Sequence, residues 1–200
     1  AAPTAAAPAG SVAVAQAPRH FVLVVDREHI PVGEGQQMLE AAAKFVDSLA
    51  PMDRVALWTT AQTTPTIRFS EDREALKRRL RLSVGTYRDS FGPWMIGRDE
   101  AIRVSDNVQG ALQAIIAREC YKQPESCPAE VEAQAGQVAM DARNRAEAFL
   151  ANLTNLIDSL RPIDGPKHIV LVTGGPVLTM DNRPLVSTMG ARAALSRVTV

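Results

Sequence analysis

One stretch narrows the possible folds of this chain more than any other. His20-Phe21-Val22-Leu23-Val24-Val25 is a continuous run rich in β-branched residues, purely apolar from Phe21, that ends on Asp26. A strand apolar at every position needs cover on both faces, which is how strands of a parallel sheet read. Lys167-His168-Ile169-Val170-Leu171-Val172-Thr173 repeats the pattern late in the chain. Asp53 to Thr60 supplies another strand, and Thr66-Ile67-Arg68-Phe69 after Pro65 is expected as a short third one, joined to it by a hairpin at Ala61 to Thr64.

Between the strands the period changes to that of a helix. Met38, Leu39, Ala42, Phe45, Val46 and Leu49 recur at three- and four-residue steps from Glu34 to Leu49, and Pro51 ends the pattern. Ser70 is placed to cap a helix from Glu71 to about Leu82, whose Asp72 and Glu74 suit the positive end of the helix dipole. Ser83 to Gly97 has no period and reads as a structured loop. Helical spacing returns over Ile102 to Ile116, then from Ala129 through Leu160, and once more around Ser187 to Leu195 before Val198-Thr199-Val200 starts a strand. The long helix is expected to project beyond the sheet.

With 46% apolar residues among 200, the chain can bury a normal core. Twenty-two basic residues balance twenty-two acidic ones, so no overall field draws it to nucleic acid or an anionic membrane. Its apolar runs are far shorter than the roughly 20 residues of a membrane span. Residues 1–18, built largely of Ala and Pro with no basic start, read as a disordered linker ahead of a domain over 19–200. A strand at the very end suggests truncation at the C-terminus, and an Ala/Pro start without Met suits an exported, periplasmic or secreted protein.

Cys120 and Cys127 flank a short polar loop containing Pro124. A local disulfide is sterically plausible, and two free thiols are the alternative. A zinc site is not supported, because neither cysteine has a further Cys or His at ligand spacing.

Taken in order, these elements resemble a von Willebrand factor A domain over Arg19 to Val200. The likeness is to the bacterial VWFA-related group known mainly from acidobacteria. Leu49-Ala50-Pro51-Met52-Asp53-Arg54-Val55-Ala56 is similar to its LxPxDxVA step, and Phe69-Ser70-Glu71-Asp72-Arg73 to its FTxDR step. Arg118 through Pro128 resembles its middle insertion, and Gly165 to Val172 its GxKxLVLxS strand. The resemblance implies an α/β fold with a doubly wound, mostly parallel, Rossmann-like sheet flanked by helices and a helical insertion around 83–160. It also implies a binding or scaffolding role.

In that family a divalent cation is held by Asp-x-Ser-x-Ser after the first strand, a Thr on a neighbouring loop and an Asp after the later strand. Laid on this sequence, the three loop positions are Asp26, Glu28 and Ile30, and the later Asp falls at Gly174. Two oxygens are missing, so Asp26 and Glu28 are the only candidate metal ligands of that set, and no Mg²⁺ or other divalent cation is expected to bind tightly. Asp26 is otherwise expected to cap the strand end or to accept backbone N–H bonds from the loop. His29 beside it makes a weak transition-metal case, because His20 and His168 begin other strands at the opposite edge.

The expected function is therefore a non-catalytic module that binds another protein at the edge where Asp26, Glu28, Thr59, Thr173 and Gly174 converge. Tyr87, Phe91 and Trp94 in the irregular loop are candidates for the partner surface, or else a plug over one end of the core. The alternative is a haloacid dehalogenase-like phosphatase with Asp26 as nucleophile and Glu28 as acid/base, although the later acidic pair of that family is missing. No dinucleotide, Walker or nucleophile-elbow motif follows any strand. The basic run Arg73 to Arg81 reads as a solvated helix face.

Overall fold

The computed structural model describes residues 18–60, 65–88 and 92–200. The apolar runs become β1 (His20–Val25), β2 (Arg54–Thr59) and β3 (Lys167–Val172), joined by a short β4 (Val198–Thr199). They form one all-parallel sheet in the order β2-β1-β3-β4. Around it lie α1 (Gln36–Ser48), α2 (Arg73–Arg81), α3 (Arg98–Ser105), α4 (Ala111–Glu119), α5 (Cys127–Ser159) and α6 (Arg183–Ser196).

Strand alternation divides the core in two. Phe21, Leu23 and Val25 pack with Leu39, Val46, Leu76 and Leu80 of α1 and α2. Val22 and Val24, with Ala56 and Trp58 of β2, lie under Phe149, Leu153, Leu156 and Ile157 of α5 and Ala193 of α6. Helices thus cover both faces of the sheet, as the all-apolar β1 requires. Leu23 is wholly enclosed, so truncating it to Ala would cost about 2–5 kcal/mol.

A third cluster stands apart from the sheet. Ile96, Ala101, Ile115, Val131, Ala135, Val138 and Ala139 pack together, so the first half of α5 meets α3 and α4 while its second half meets the sheet. Cys120 and Cys127 are bonded at 2.01 Å and tie the end of α4 to the start of α5. No described helix is long and apolar enough to cross a membrane.

Four expectations change. Thr66 to Phe69 is not a strand: its stretch makes a single antiparallel bridge, Ser70 to Val55, while Ile67 and Phe69 cover the α5 side of the sheet. The hairpin tip expected at 61–64 lies outside the described residues. Asp72, not Ser70, caps α2 by accepting from the Ala75 N–H at 2.8 Å, and Ser70 Oγ instead accepts from the Asp72 N–H. The helix expected over Ile102 to Ile116 is two, because Asn107 and Gly110 take left-handed φ values of 54° and 78° that no helix continues through. The last helix begins earlier than Ser187, with Pro184 in its first turn, where a missing N–H costs nothing.

The basic run is less solvated than its composition suggests. The Arg73 guanidinium donates to the carbonyls of Leu49, Ala50 and Asp53, closing the exit of α1. Lys77, nearly buried, bridges Asp47 at 2.5 Å and Glu74 at 2.7 Å.

Candidate functional site

The carboxyl edge of the sheet carries a polar row built by register. Val25 pairs with Thr59 on one side and Val172 on the other, so the next residues of the three strands, Thr60, Asp26 and Thr173, stand side by side. Alternation turns them toward the α5 face, the side taken by Val24 and Trp58. Thr60 N–H donates to the Val25 carbonyl and Asp26 N–H to the Val172 carbonyl, which fixes the row.

Asp26 is 0% exposed, and its Oδ2 accepts from Thr173 Oγ1 at 2.7 Å and from His29 Nδ1 at 2.8 Å. A carboxylate only accepts, so the ring proton is on Nδ1. Thr173 Oγ1 in turn accepts from the Gly175 N–H at 3.0 Å. The His29 ring meets Phe149 of α5 edge-on, with centroids 5.6 Å apart. Asp26 Oδ1, His29 Nε2 and Thr60 Oγ1 are buried with no hydrogen-bond partner among the described residues.

The loop after β1 is held on two sides. Residues 84–87 run beside it: Arg27 Nε donates to the Val84 carbonyl, Thr86 N–H to Arg27, Tyr87 N–H to Ile30, and Val32 N–H to Tyr87. Gly85 and Gly174 press on it from different segments. A Cβ on Gly85 would sit 2.2 Å from the Ile30 carbonyl oxygen, and one on Gly174 would sit 2.1 Å from that of His29. Both contacts need glycine, since real Cβ atoms do not approach closer than 3.0 Å.

These contacts decide how the metal positions fit. Asp26 already holds two donors, Glu28 is part-buried, Ile30 is wholly buried, and Gly174 touches backbone where the family places a carboxylate. Among the described residues no group of three or more His, Cys, Asp or Glu side chains is placed to hold an ion. The residues present do not fit the octahedral oxygen set that the resemblance implies.

Of the remaining candidates, Thr59 ends β2 but alternates to the α1 side with Val55 and Leu57, so Thr60 takes the place beside Asp26. Register alone identifies Thr60. Tyr87 is buried and bridges Pro31, Trp94 is part-buried against the third cluster, and Phe91 lies outside the described residues. Asp26 was expected to cap the strand end or to accept backbone N–H bonds from the loop; side chains from two segments bond it instead.

The opposite edge holds charged groups with structural partners. The Arg19 guanidinium, hydrogen-bonded to Asp53, holds that carboxyl below its ordinary range against the opposing effect of burial. Burial, with Arg54 and Lys167 nearby, lowers the pKa of His20. His20 and His168 pack against Phe69 and Phe21 there, away from His29.

Comparison of the chain with protein-family models, with curated proteins and with solved structures finds no match. The functional reading rests on the geometry of the Asp26 edge and on the sequence motifs.

Proposed function

We propose that this chain is a non-catalytic protein-binding or scaffolding module of the von Willebrand factor A type, in its doubly wound form, with a degenerate metal site. One observation carries the reading. The Asp26 carboxylate is bonded to Thr173 and His29, and the loop positions Ile30 and Gly174 supply no side-chain oxygen beside it, so it works as a structural tie between loops. The partner is then read by the surface around that tie, without a cation. The sheet's carboxyl edge is where ligands of open parallel sheets bind, which supports placing the partner there.

The phosphatase alternative asks Asp26 to attack phosphorus. A nucleophile needs a lone pair open to substrate, and the unbonded Oδ1 of Asp26 is enclosed by the protein, which disposes it poorly for that. An extracytoplasmic setting fits the Cys120–Cys127 bond, because reducing compartments disfavour such bonds.

Titration of MgCl₂ or MnCl₂ into the protein is expected to give no binding heat, and EDTA no change in melting temperature. A ligand-dependent rise in melting temperature, as mass action demands of any ion bound to the native state, would overturn metal independence. Hydrolysis of p-nitrophenyl phosphate that disappears in Asp26→Asn would restore the enzyme reading.

A further inference from the structure

Two guanidinium groups lie against one ring beside the Asp26 edge. Arg98, the first residue of α3, has its Cζ 5.7 Å from the centroid of Tyr87, and Arg145 of α5 has its own 4.9 Å away. Tyr87 is a firm base, because its backbone is bonded to Ile30 and Val32 and its side chain is buried. Arg145 lies one helical turn before Phe149, the residue that contacts His29, and an Arg98 N–H points at the Gly175 carbonyl at 3.5 Å. The pair therefore borders the loops that hold Asp26 and Thr173.

The charges here are poorly balanced. Arg98 has a long contact with Asp99, which is 86% exposed, and no acidic side chain among the described residues lies within ion-pair distance of Arg145. Elsewhere Lys77 is matched by Asp47 and Glu74 and Arg118 by Glu100 and Glu119, while Arg73 and the buried Lys167 donate to backbone carbonyls; among the described residues Arg145 has neither kind of partner. A guanidinium laid on an aromatic ring keeps the N–H groups at its edge, and that planar fork matches the two oxygens of a carboxylate. Stacking also fixes the fork before binding, which lowers the entropy lost on association.

We infer that Arg98 and Arg145, seated on Tyr87, form the anchor for an Asp or Glu side chain of a protein partner. The inference rests on the protein-binding reading above and names the chemistry that reading leaves open. Positive charge at this edge comes from two arginines in place of a cation.

The test pans a displayed library of randomised twelve-residue peptides on the whole chain, then measures selected peptides by fluorescence polarisation. Selected peptides are expected to carry Asp or Glu. Arg145→Glu should weaken them at least about tenfold, the usual effect of losing a charge-assisted hydrogen bond. Arg98→Gln should weaken them less, and the control Arg192→Glu, remote on α6, should leave them unchanged. Circular dichroism melts establish that each variant folds, and Arg145→Gln replaces Arg145→Glu if the reversal does not. Ligands without acidic residues, or acidic ligands indifferent to both Arg145 and Arg98, overturn this anchor and leave the protein-binding reading standing. A library that yields no ligand removes both.

Discussion

Gly174 offers the sharpest test of how the carboxyl edge is built, because two readings of it predict opposite results. If it is merely a position where a carboxylate has been lost, Ala should be harmless or mildly stabilising through the unfolded chain, by about 0.4–1 kcal/mol. The geometry says otherwise. The added Cβ would lie 2.1 Å from the His29 carbonyl oxygen and must move to at least 3.0 Å, so the two backbones have to part by about 0.9 Å. His29 cannot give freely, since its ring is held by Asp26 at 2.8 Å and packed on Phe149. Forcing atoms into such a contact costs about 1–3 kcal/mol, which outweighs the entropic gain. Gly174→Ala should therefore lose roughly 1–2 kcal/mol in urea unfolding and about 2–8 °C in melting temperature for a chain of this size. Gly136→Ala is the internal control: it lies in α5 with nothing within 4 Å of its would-be Cβ, and should gain about 0.5–1 kcal/mol. Gly174→Asp, which puts back the family's ligand, carries the same Cβ and should be destabilised without acquiring Mg²⁺ affinity. A Gly174→Ala protein as stable as its parent, beside a stabilised Gly136→Ala, would refute the close-contact argument.

Three further results are expected. Asp26→Ala strands the Thr173 hydroxyl and the His29 ring proton, at about 1–3 kcal/mol each; Asp26→Asn keeps an acceptor and should lose less, and equal losses would mean the tie is not the cause. Asp53 has its folded pKa depressed by Arg19, so the pair's stabilisation is present above the unfolded value of about 3.9 and is lost as pH falls through the lower folded one. The difference in urea midpoint between the parent and Arg19→Ala should then be constant from about pH 7 to 5 and narrow progressively below about pH 4; a gap that keeps its full width as the pH falls excludes this. Cys127→Ser should lower stability by about 2–3 kcal/mol in the chain-entropy model, and dithiothreitol should lower the parent's midpoint but not the variant's.

How much of this was legible in the sequence depends on whether a feature is local. The strands β1, β2 and β3 read correctly because a buried parallel strand is apolar at every position, and α1 because its stripe has a helical period. Thr66 to Phe69 misled because its alternation is real but serves packing at the edge of β2, and alternation cannot distinguish cover from a hydrogen-bonded ladder. The break between α3 and α4 turned on the left-handed Asn107 and Gly110, which interrupt a hydrophobic period that runs on unchanged. At the site, Asp26 stood out as a polar residue ending an apolar strand. Its partner Thr173 lies 147 residues away and its neighbour Thr60 follows from register, neither of which the chain states locally. Gly174 was read for the side chain it lacks, whereas its meaning is the backbone that comes close to it.

The 33-residue α5 is about 50 Å of continuous helix, fixed on the sheet from Phe149 onward and carrying the disulfide at its first residue. Some 33 Å of it, from Cys127 to Phe149, extends past the sheet as a lever arm. A tilt of about 10° about the sheet end would sweep its tip by roughly 6 Å, taking α3 and α4 with it. Arg145 lies one turn from Phe149, where the helix reaches the sheet, and Arg98 opens α3, which packs on the projecting half, so Tyr87 is the point at which both parts of the chain are joined through guanidinium contacts.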